Sequence, residues 1–358
     1  MTDLHRIAEA YGLQTEFVLH GHGNIHDTYR SADSRYLLQR INTHVFTRPR
    51  EVMENIVGVT EHLRRKVREE GGDPGREVLT IVRTRDGQSY YQNEDGYFRV
   101  YLFIEHSQTV EPEEAGYDNL YQAAVGFGRF QKQLADYDAA SLHETIPDFH
   151  NTVCRLSRLK EAMAKDPLGR LAAVQSEIDF IMERSAMAET VLKGLESGDI
   201  PLCVTHNDTK VNNVLFDKES GKALCVIDLD TIMPGSRLYD FGDALRSAGV
   251  NTPEDEPDLS KVCFDARAYE AFLRGYLSEM KDTLTPREKE LLPFSVRLLA
   301  YELGIRFLTD YLNGDVYFKT SRPGQNLDRT RTQLRLVEIL ESMDGELRGI
   351  TEEALAGA

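Results

Sequence analysis

The sequence has no long apolar run, no closely spaced cysteine pair, no basic stripe and no internal repeat, and each absence removes a class of protein. The most apolar late stretch, PFSVRLLAYELGIRFL, is interrupted by Arg297, Glu302 and Arg306, so it reads as a helix with a buried face, not a membrane span. The N-terminus, MTDLHRIAEAYGL, has neither a basic start nor an apolar core, which argues against a secretory signal. The four cysteines, Cys154, Cys203, Cys225 and Cys263, show no C-x-x-C pair and no metal-finger spacing. Cys203 and Cys225 lie inside apolar runs, as free thiols do, and a reducing cytoplasm is the simplest expectation. The formal charge of −17, with no basic stripe to offset it, disfavours nucleic acid and anionic membrane as partners. Low-complexity tracts and periods of 20–50 residues are also missing, which excludes solenoids and arrays.

What is present suits two lobes sharing a cleft. The chain has 358 residues, 41% hydrophobic and 28% charged, enough for a sizeable core. FVLHGHGNIHDTYR and YLLQRIN are β-rich runs joined by SADSR, and Pro49 to Glu70 carries helical spacing in Ile56, Val59 and Leu63. REVLTIVRT, QSYYQ and YFRVYLFIE return to strand character, with Asp86-Gly87 and Asp95-Gly96 as turns. After about residue 107 helical periodicity dominates, over 117–137, 168–195 and from 265 onward. The expected fold class is α+β. A small β-rich lobe over 1–106 precedes a larger helical lobe over 107–358, with a hinge near Phe103–His106. That is the two-lobed organisation of a protein kinase.

The segment CVTHNDTKVNNVLFDKESGKALCVIDLD carries the chemistry. It holds His206-x-Asp208, then Asn213, then Asp228 at the end of an apolar run. Phosphoryl transfer needs positioning and charge neutralisation more than covalent help. One carboxylate must stand by the attacking hydroxyl, while a second carboxylate and an amide oxygen hold Mg²⁺, which prefers hard oxygen ligands. Asp208 fits the first role, and Asn213 and Asp228 the second. ATP is then the co-substrate. Asp230 shares the face of Asp228 if strand alternation continues, within reach of metal or acceptor. Asp240-Phe241-Gly242 repeats the metal-binding tripeptide of protein kinases but lies beyond Pro234-Gly235 and off any apolar strand, so Asp240 reads as structural, either bracing the catalytic loop or capping the next helix. His206 reads as a structural residue that holds the loop through its ring.

At the nucleotide end, Gly21 and Gly23 sit between two strand runs, where glycine lets backbone amides approach phosphates. Protein kinases place a lysine on the third strand to pair with phosphates; YLLQRIN offers Gln39 or Arg40 instead. Phe103 and Glu105, on the hinge, complete the expected nucleotide contacts.

THNDTK, VIDLDTIMPGS, YDFGD, ELLPFS, GIRFLTDYLNGDVYF and NLDRTRTQ together resemble the aminoglycoside-phosphotransferase-like kinases and, within them, the N-acetylhexosamine 1-kinases. The resemblance covers nearly the whole chain. It implies transfer from ATP to the anomeric hydroxyl of N-acetylglucosamine or N-acetylgalactosamine, with Asp208 as base and Asn213 and Asp228 as metal ligands. It also implies that Arg306 and Tyr317 contact the sugar, and it makes Gln39 in place of the lysine an ordinary trait. The glycine loop of that family reads G-H-I-N, whereas this chain has Gly23-Asn24-Ile25-His26, so Asn24 stands where a histidine would face the sugar.

Glu302, Arg306 and Asp310 are spaced i, i+4, i+8 on one helix and so form one polar stripe. The stripe is either an exposed salt-bridge ladder or one wall of an acceptor site beside the ring of Tyr317. Two competing functions stay open. One is a kinase of a cationic acceptor, an aminoglycoside or choline-like amine; the other is a nucleotide-binding pseudokinase, suggested by the missing lysine.

Overall fold

The computed structural model describes residues 3–20 and 25–357. It has an antiparallel sheet in its N-terminal part and helices through most of the remainder, so the α+β class holds. A short helix α1 (Leu4–Ala10) precedes β1 (Phe17–Leu19), β2 (Asp27–Ser31) and β3 (Tyr36–Ile41). Pro49, whose ring presets a helical φ, then opens α2 (Pro49–Glu69). Val52, Ile56, Val59 and Leu63 recur every three to four residues on α2 and are all buried, which fixes the face it turns inward.

The run Arg76–Thr84 contributes only the two-residue β4 (Ile81–Val82). Its start is consumed by a turn in which the amides of Arg76 and Glu77 donate to the Asp73 carbonyl. After β5 (Tyr91–Asn93), the Asp95-Gly96 turn leads into β6 (Gly96–Leu102). The strand order is β1-β2-β3-β6-β4, with β5 also pairing β6. The chain leaves this sheet after Leu102 and, at β7 (Ser107–Gln108), joins a different one. Its partner there is β9 (Val214–Asp217), which pairs in turn with β10 (Ala223–Val226). A third, two-stranded sheet joins β8 (Cys203–Thr205) to β11 (Met233–Gly235).

The helices behind these small sheets are α3 (Tyr117–Gln133), α4 (Thr152–Lys165), α5 (Gln175–Glu183), α6 (Thr190–Ser197), α7 (Arg237–Ala248), α8 (Ala266–Met280), α9 (Pro286–Asn313), α10 (Gln325–Ser342) and α11 (Asp344–Gly357). The stretch 168–195, read as helical, is a 3₁₀ turn leading into α5, then a second 3₁₀ turn and α6. Gly275 lets α8 close on α3, since a Cβ there would stand 2.2 Å from the Tyr121 carbonyl oxygen. Among the described residues no helix is long and apolar enough to cross a membrane.

Candidate active site

The β9–β10 hairpin sets the first half of the site. Val214 pairs with Val226, and the next rung is the Ile227 amide donating to the Asn213 carbonyl at 2.9 Å. Asp228 therefore emerges beside Asn213, as the short hairpin requires. Asn207 and Asp228 both adopt left-handed backbone, with φ of 65° and 58°, which Asn and Asp tolerate because their short side chains bond locally. The Asn213 amide nitrogen donates to the Asp208 carbonyl at 2.8 Å and to Asp208 Oδ2 at 3.2 Å. That leaves Asn213 Oδ1 free of a hydrogen-bond role within the loop. Lys210 Nζ lies 2.8 Å from Asp208 Oδ1. Asp208 and neighbouring acids hold the Lys210 ammonium above the ordinary lysine range, against a desolvation that pulls the other way.

The loop is braced from beneath. His206 is fully buried; its Nε2 faces the Ile227 carbonyl at 2.8 Å, and Nδ1 accepts the Asp208 amide at 3.2 Å. Asp240 accepts from the amides of His206 (2.9 Å) and Asn207 (2.8 Å) and from Gln131 Nε2 (2.6 Å). Phe241 packs into a cluster of Tyr269, Phe272 and Tyr276, while a Cβ on Gly242 would stand 2.5 Å from the Ser295 carbonyl oxygen. Each residue of this second kinase-like tripeptide thus has a bracing or packing reason to be what it is.

Asp228 is an exposed residue whose carboxyl lies near those of Asp230 and Asp208. Its carboxyl is pushed up to about 7 by desolvation and by the negative charges of Asp230 and Asp208. With Asp230 matched by Arg99 and Asp208 by Lys210, the Asp228 carboxylate keeps its charge uncompensated, and with the Asn213 amide oxygen it offers hard oxygen donors that suit a divalent cation. Asp230 does not share the open face of Asp228, because the chain turns into a 3₁₀ segment (Leu229–Thr231) instead of continuing as a strand. Its carboxylate is 2% exposed and bound in a fork by Arg99, with Nη1 at 2.6 Å and Nη2 at 2.5 Å. Burial opposes its ionisation, but Arg99 and His26 outweigh that and hold it far below the usual carboxylate range.

Gln39 lies in the middle of the sheet, donating to Thr28 Oγ1 at 3.2 Å and accepting from Arg99 Nε at 3.0 Å. Phe103 sits beneath the Arg30 guanidinium, 4.0 Å from the ring centre. Glu105 is exposed, and its carbonyl accepts from Arg76, which also reaches Asp217 on β9. Gly21, Gly23 and Asn24 lie outside the described residues.

The polar stripe of α9 is not an exposed salt-bridge ladder. Glu302 is buried, 2.8 Å from His150 Nδ1, and accepts from Thr152 Oγ1 at 2.6 Å. Asp310 is also buried; it accepts the amides of Val316, Tyr317 and Phe318 at 2.8–3.0 Å and Asn326 Nδ2 at 2.9 Å. Arg306, between them in sequence, lies over the rings of Phe149 (5.3 Å) and Phe318 (5.6 Å), with no acid in salt-bridge range among the described residues. Arg155 donates to the Phe149 carbonyl at 2.7 Å and is pulled down to about 10 by desolvation and the like charge of Arg306. Tyr317, 66% exposed, leans edge-on against Phe318 at 4.8 Å.

Reasoning from the sequence missed Arg99, Phe149, His150, Arg155 and Lys210. Arg99 left a signal, a lone charge in the apolar strand YFRVYLF; Lys210 is part of the THNDTK run. The other three lie far from either motif.

The sequence profile of the phosphotransferase enzyme family matches residues 16–291. An aminoglycoside phosphotransferase from Alicyclobacillus acidocaldarius superposes with a TM-score of 0.66 at 16% identity, covering 99% of this chain and 97% of its own. A choline/ethanolamine kinase family protein from Mesorhizobium loti gives 0.59 at 13%, with the same coverage. A spectinomycin phosphotransferase solved with ADP and spectinomycin gives 0.54 at 15%, covering 95% of this chain and 97% of its own. At these identities the likeness shows a shared fold.

Proposed function

Because the chain belongs to the phosphotransferase enzyme family, we propose that it is an ATP- and Mg²⁺-dependent kinase that phosphorylates the C1 hydroxyl of N-acetylglucosamine or N-acetylgalactosamine. The products are ADP and the hexosamine 1-phosphate. In this reading residues 1–106 and 107–358 are the two lobes, and the nucleotide lies between them. Asp208 orients the acceptor hydroxyl and takes its proton as the hydroxyl oxygen bonds to the γ-phosphorus and the bond to ADP breaks. Asn213 Oδ1 and Asp228 hold Mg²⁺, which neutralises phosphate charge when bound. Lys210, 2.8 Å from Asp208 Oδ1, is a cation beside the proposed base.

One observation favours a neutral sugar as acceptor. Arg306 and Arg155 flank Phe149 and are unpaired by acids, while Glu302 and Asp310 are already engaged. Two guanidinium groups repel an ammonium group, but they donate well to hydroxyl and acetamide oxygens. The exposed ring of Tyr317 adds an apolar face for a sugar ring. A cationic acceptor is the second reading. The chain's charge of −17 suits it, and so do relatives that are aminoglycoside and choline/ethanolamine kinases.

The test is ADP release with ATP and Mg²⁺ over a panel of N-acetylglucosamine, N-acetylgalactosamine, glucose, galactose, kanamycin and choline. Stimulation by the N-acetyl sugars is expected. Stimulation only by kanamycin or choline keeps the transfer chemistry and removes the sugar claim, and no stimulation by any acceptor removes both.

A further inference from the structure

The sheet carries no lysine at the third-strand position, yet a buried cation stands one strand away. Arg99 on β6 pairs in register with Gln39 on β3, and the two side chains bond at 3.0 Å. Arg99 is 1% exposed. Its fork crosses from the sheet to Asp230, two residues after Asp228, while the Tyr101 ring lies 5.3 Å from the guanidinium. His26 Nε2 approaches the same carboxylate at 3.3 Å.

The turn that Arg99 holds is tied on its other side to the catalytic loop. Thr231 Oγ1 donates to the His206 carbonyl at 2.6 Å, and Asn207 Nδ2 donates to the Thr231 carbonyl at 2.8 Å. Helix α2 joins it through Asn55, whose Nδ2 reaches the Ile232 carbonyl at 2.9 Å. The turn bearing Asp228 is therefore suspended between sheet, helix and loop, and the Arg99–Asp230 fork is its ionic tie to the sheet. A planar, bidentate fork fixes orientation as well as distance, which an ammonium point charge cannot do.

We propose that Arg99 is a positioning residue that, through Asp230, sets Asp228 for the metal–nucleotide complex and so does the lobe-coupling work of the absent strand lysine. Residues that hold a metal ligand in place commonly carry about 10–100-fold of affinity or activity, and Arg99 holds Asp228 through Asp230 and the turn that bears both. This role rests on the phosphotransfer reading above.

The experiment measures Mn²⁺–ADP binding by calorimetry, with melting temperature and steady-state kinetics alongside. It compares wild type, Arg99→Lys, and the paired Arg99→Met/Asp230→Leu. Removing both ions of a buried pair commonly leaves a fold as stable as before, so the paired variant separates a structural tie from a positioning one. In Arg99→Lys the Mn²⁺–ADP Kd should rise ~10–100-fold, with kcat reduced and the acceptor KM unchanged. The paired variant should melt near wild type yet bind Mn²⁺–ADP as weakly. Wild-type affinity in the paired variant overturns the positioning role, as does wild-type affinity in Arg99→Lys. A wild-type protein that takes up no Mn²⁺–ADP overturns the phosphotransfer reading and this role with it.

Discussion

The Asp208–Asp228 loop end and the Arg306 end, proposed to take the acceptor, solve the same problem, holding polar groups in a fixed array, by opposite means. At the loop end, Asp208, Asn213 and Asp228 come from one short stretch of chain, and backbone register through the β9–β10 hairpin aligns them. At the acceptor end, Arg306, Tyr317, Phe149 and Arg155 come from three separated segments, and side-chain packing aligns them. A register-built site is sensitive to few side chains beyond its own, chiefly those that tie it down, such as Asp240 and the Arg99–Asp230 fork. A packing-built site can change its shape, and hence its choice of acceptor, one residue at a time.

The largest expected effect breaks the comparison at the loop end. Asp208→Asn should lower kcat by about 10²–10⁴, the usual range for loss of a general base. Sugar binding measured by calorimetry should be nearly unchanged; undiminished turnover would remove Asp208 from the chemistry.

Next comes the anchor of the acceptor end. Asp310→Ala strips the acceptor from three backbone amides and Asn326, which should cost about 2–4 kcal/mol of stability. A melting curve should show that loss together with a raised acceptor KM. Loss of stability with an unchanged acceptor KM would mean that residues 316–318 do not shape the site.

Arg306→Ala sharpens the contrast further. Losing hydrogen bonds from a charged group to a neutral acceptor should raise the acceptor KM by ~10–100-fold while kcat stays close to wild type. A fall in kcat with unchanged KM would tie Arg306 to the transfer step.

The smallest effect is seen in thiol labelling. Burial pushes the Cys225 thiol up to about 12 and Cys203 up to about 11, and both lie in strands that carry the loop end. Both should label only on unfolding, because the thiolate is the reactive form. Cys154, on α4, is only half-buried, and although desolvation and its hydrogen bond to Asp148 raise its thiol too, its access to solvent should let it label in the folded protein. Equal rates at all three would deny the difference in rigidity between the two ends.

The same contrast explains what was legible in the sequence. The loop end reads directly, because its spacing is local and each residue type follows from the chemistry of phosphate and metal. A structural role for Asp240 also follows from its distance past Pro234-Gly235, but its choice of bracing the loop over capping a helix shows only in the folded contacts. At the acceptor end, i, i+4 spacing identifies a face of α9 but not what that face meets, so a ladder was as reasonable as a site. Glu302 and Asp310 turned out to be buried anchors because His150, Thr152 and the 316–318 turn fold against them. Asp230 was misplaced for a related reason, since strand alternation was carried past the point where the chain turns. Arg99 showed only as a charge in an apolar strand; its partner lies 131 positions away. The α+β architecture was readable because hydrophobic period changes along the chain, whereas REVLTIVRT looked like a longer strand than its opening turn permits.

The central claim, that the acceptor end selects an N-acetylhexosamine and the loop end phosphorylates it at C1, is tested most directly by competition. The wild-type protein is given ATP, Mg²⁺ and equimolar N-acetylglucosamine, N-acetylgalactosamine, glucose, kanamycin and choline, and the products are read by phosphorus NMR. The account predicts that phosphate accumulates on C1 of one or both N-acetyl sugars. Phosphate on kanamycin or choline, or on a sugar hydroxyl other than C1, would contradict it.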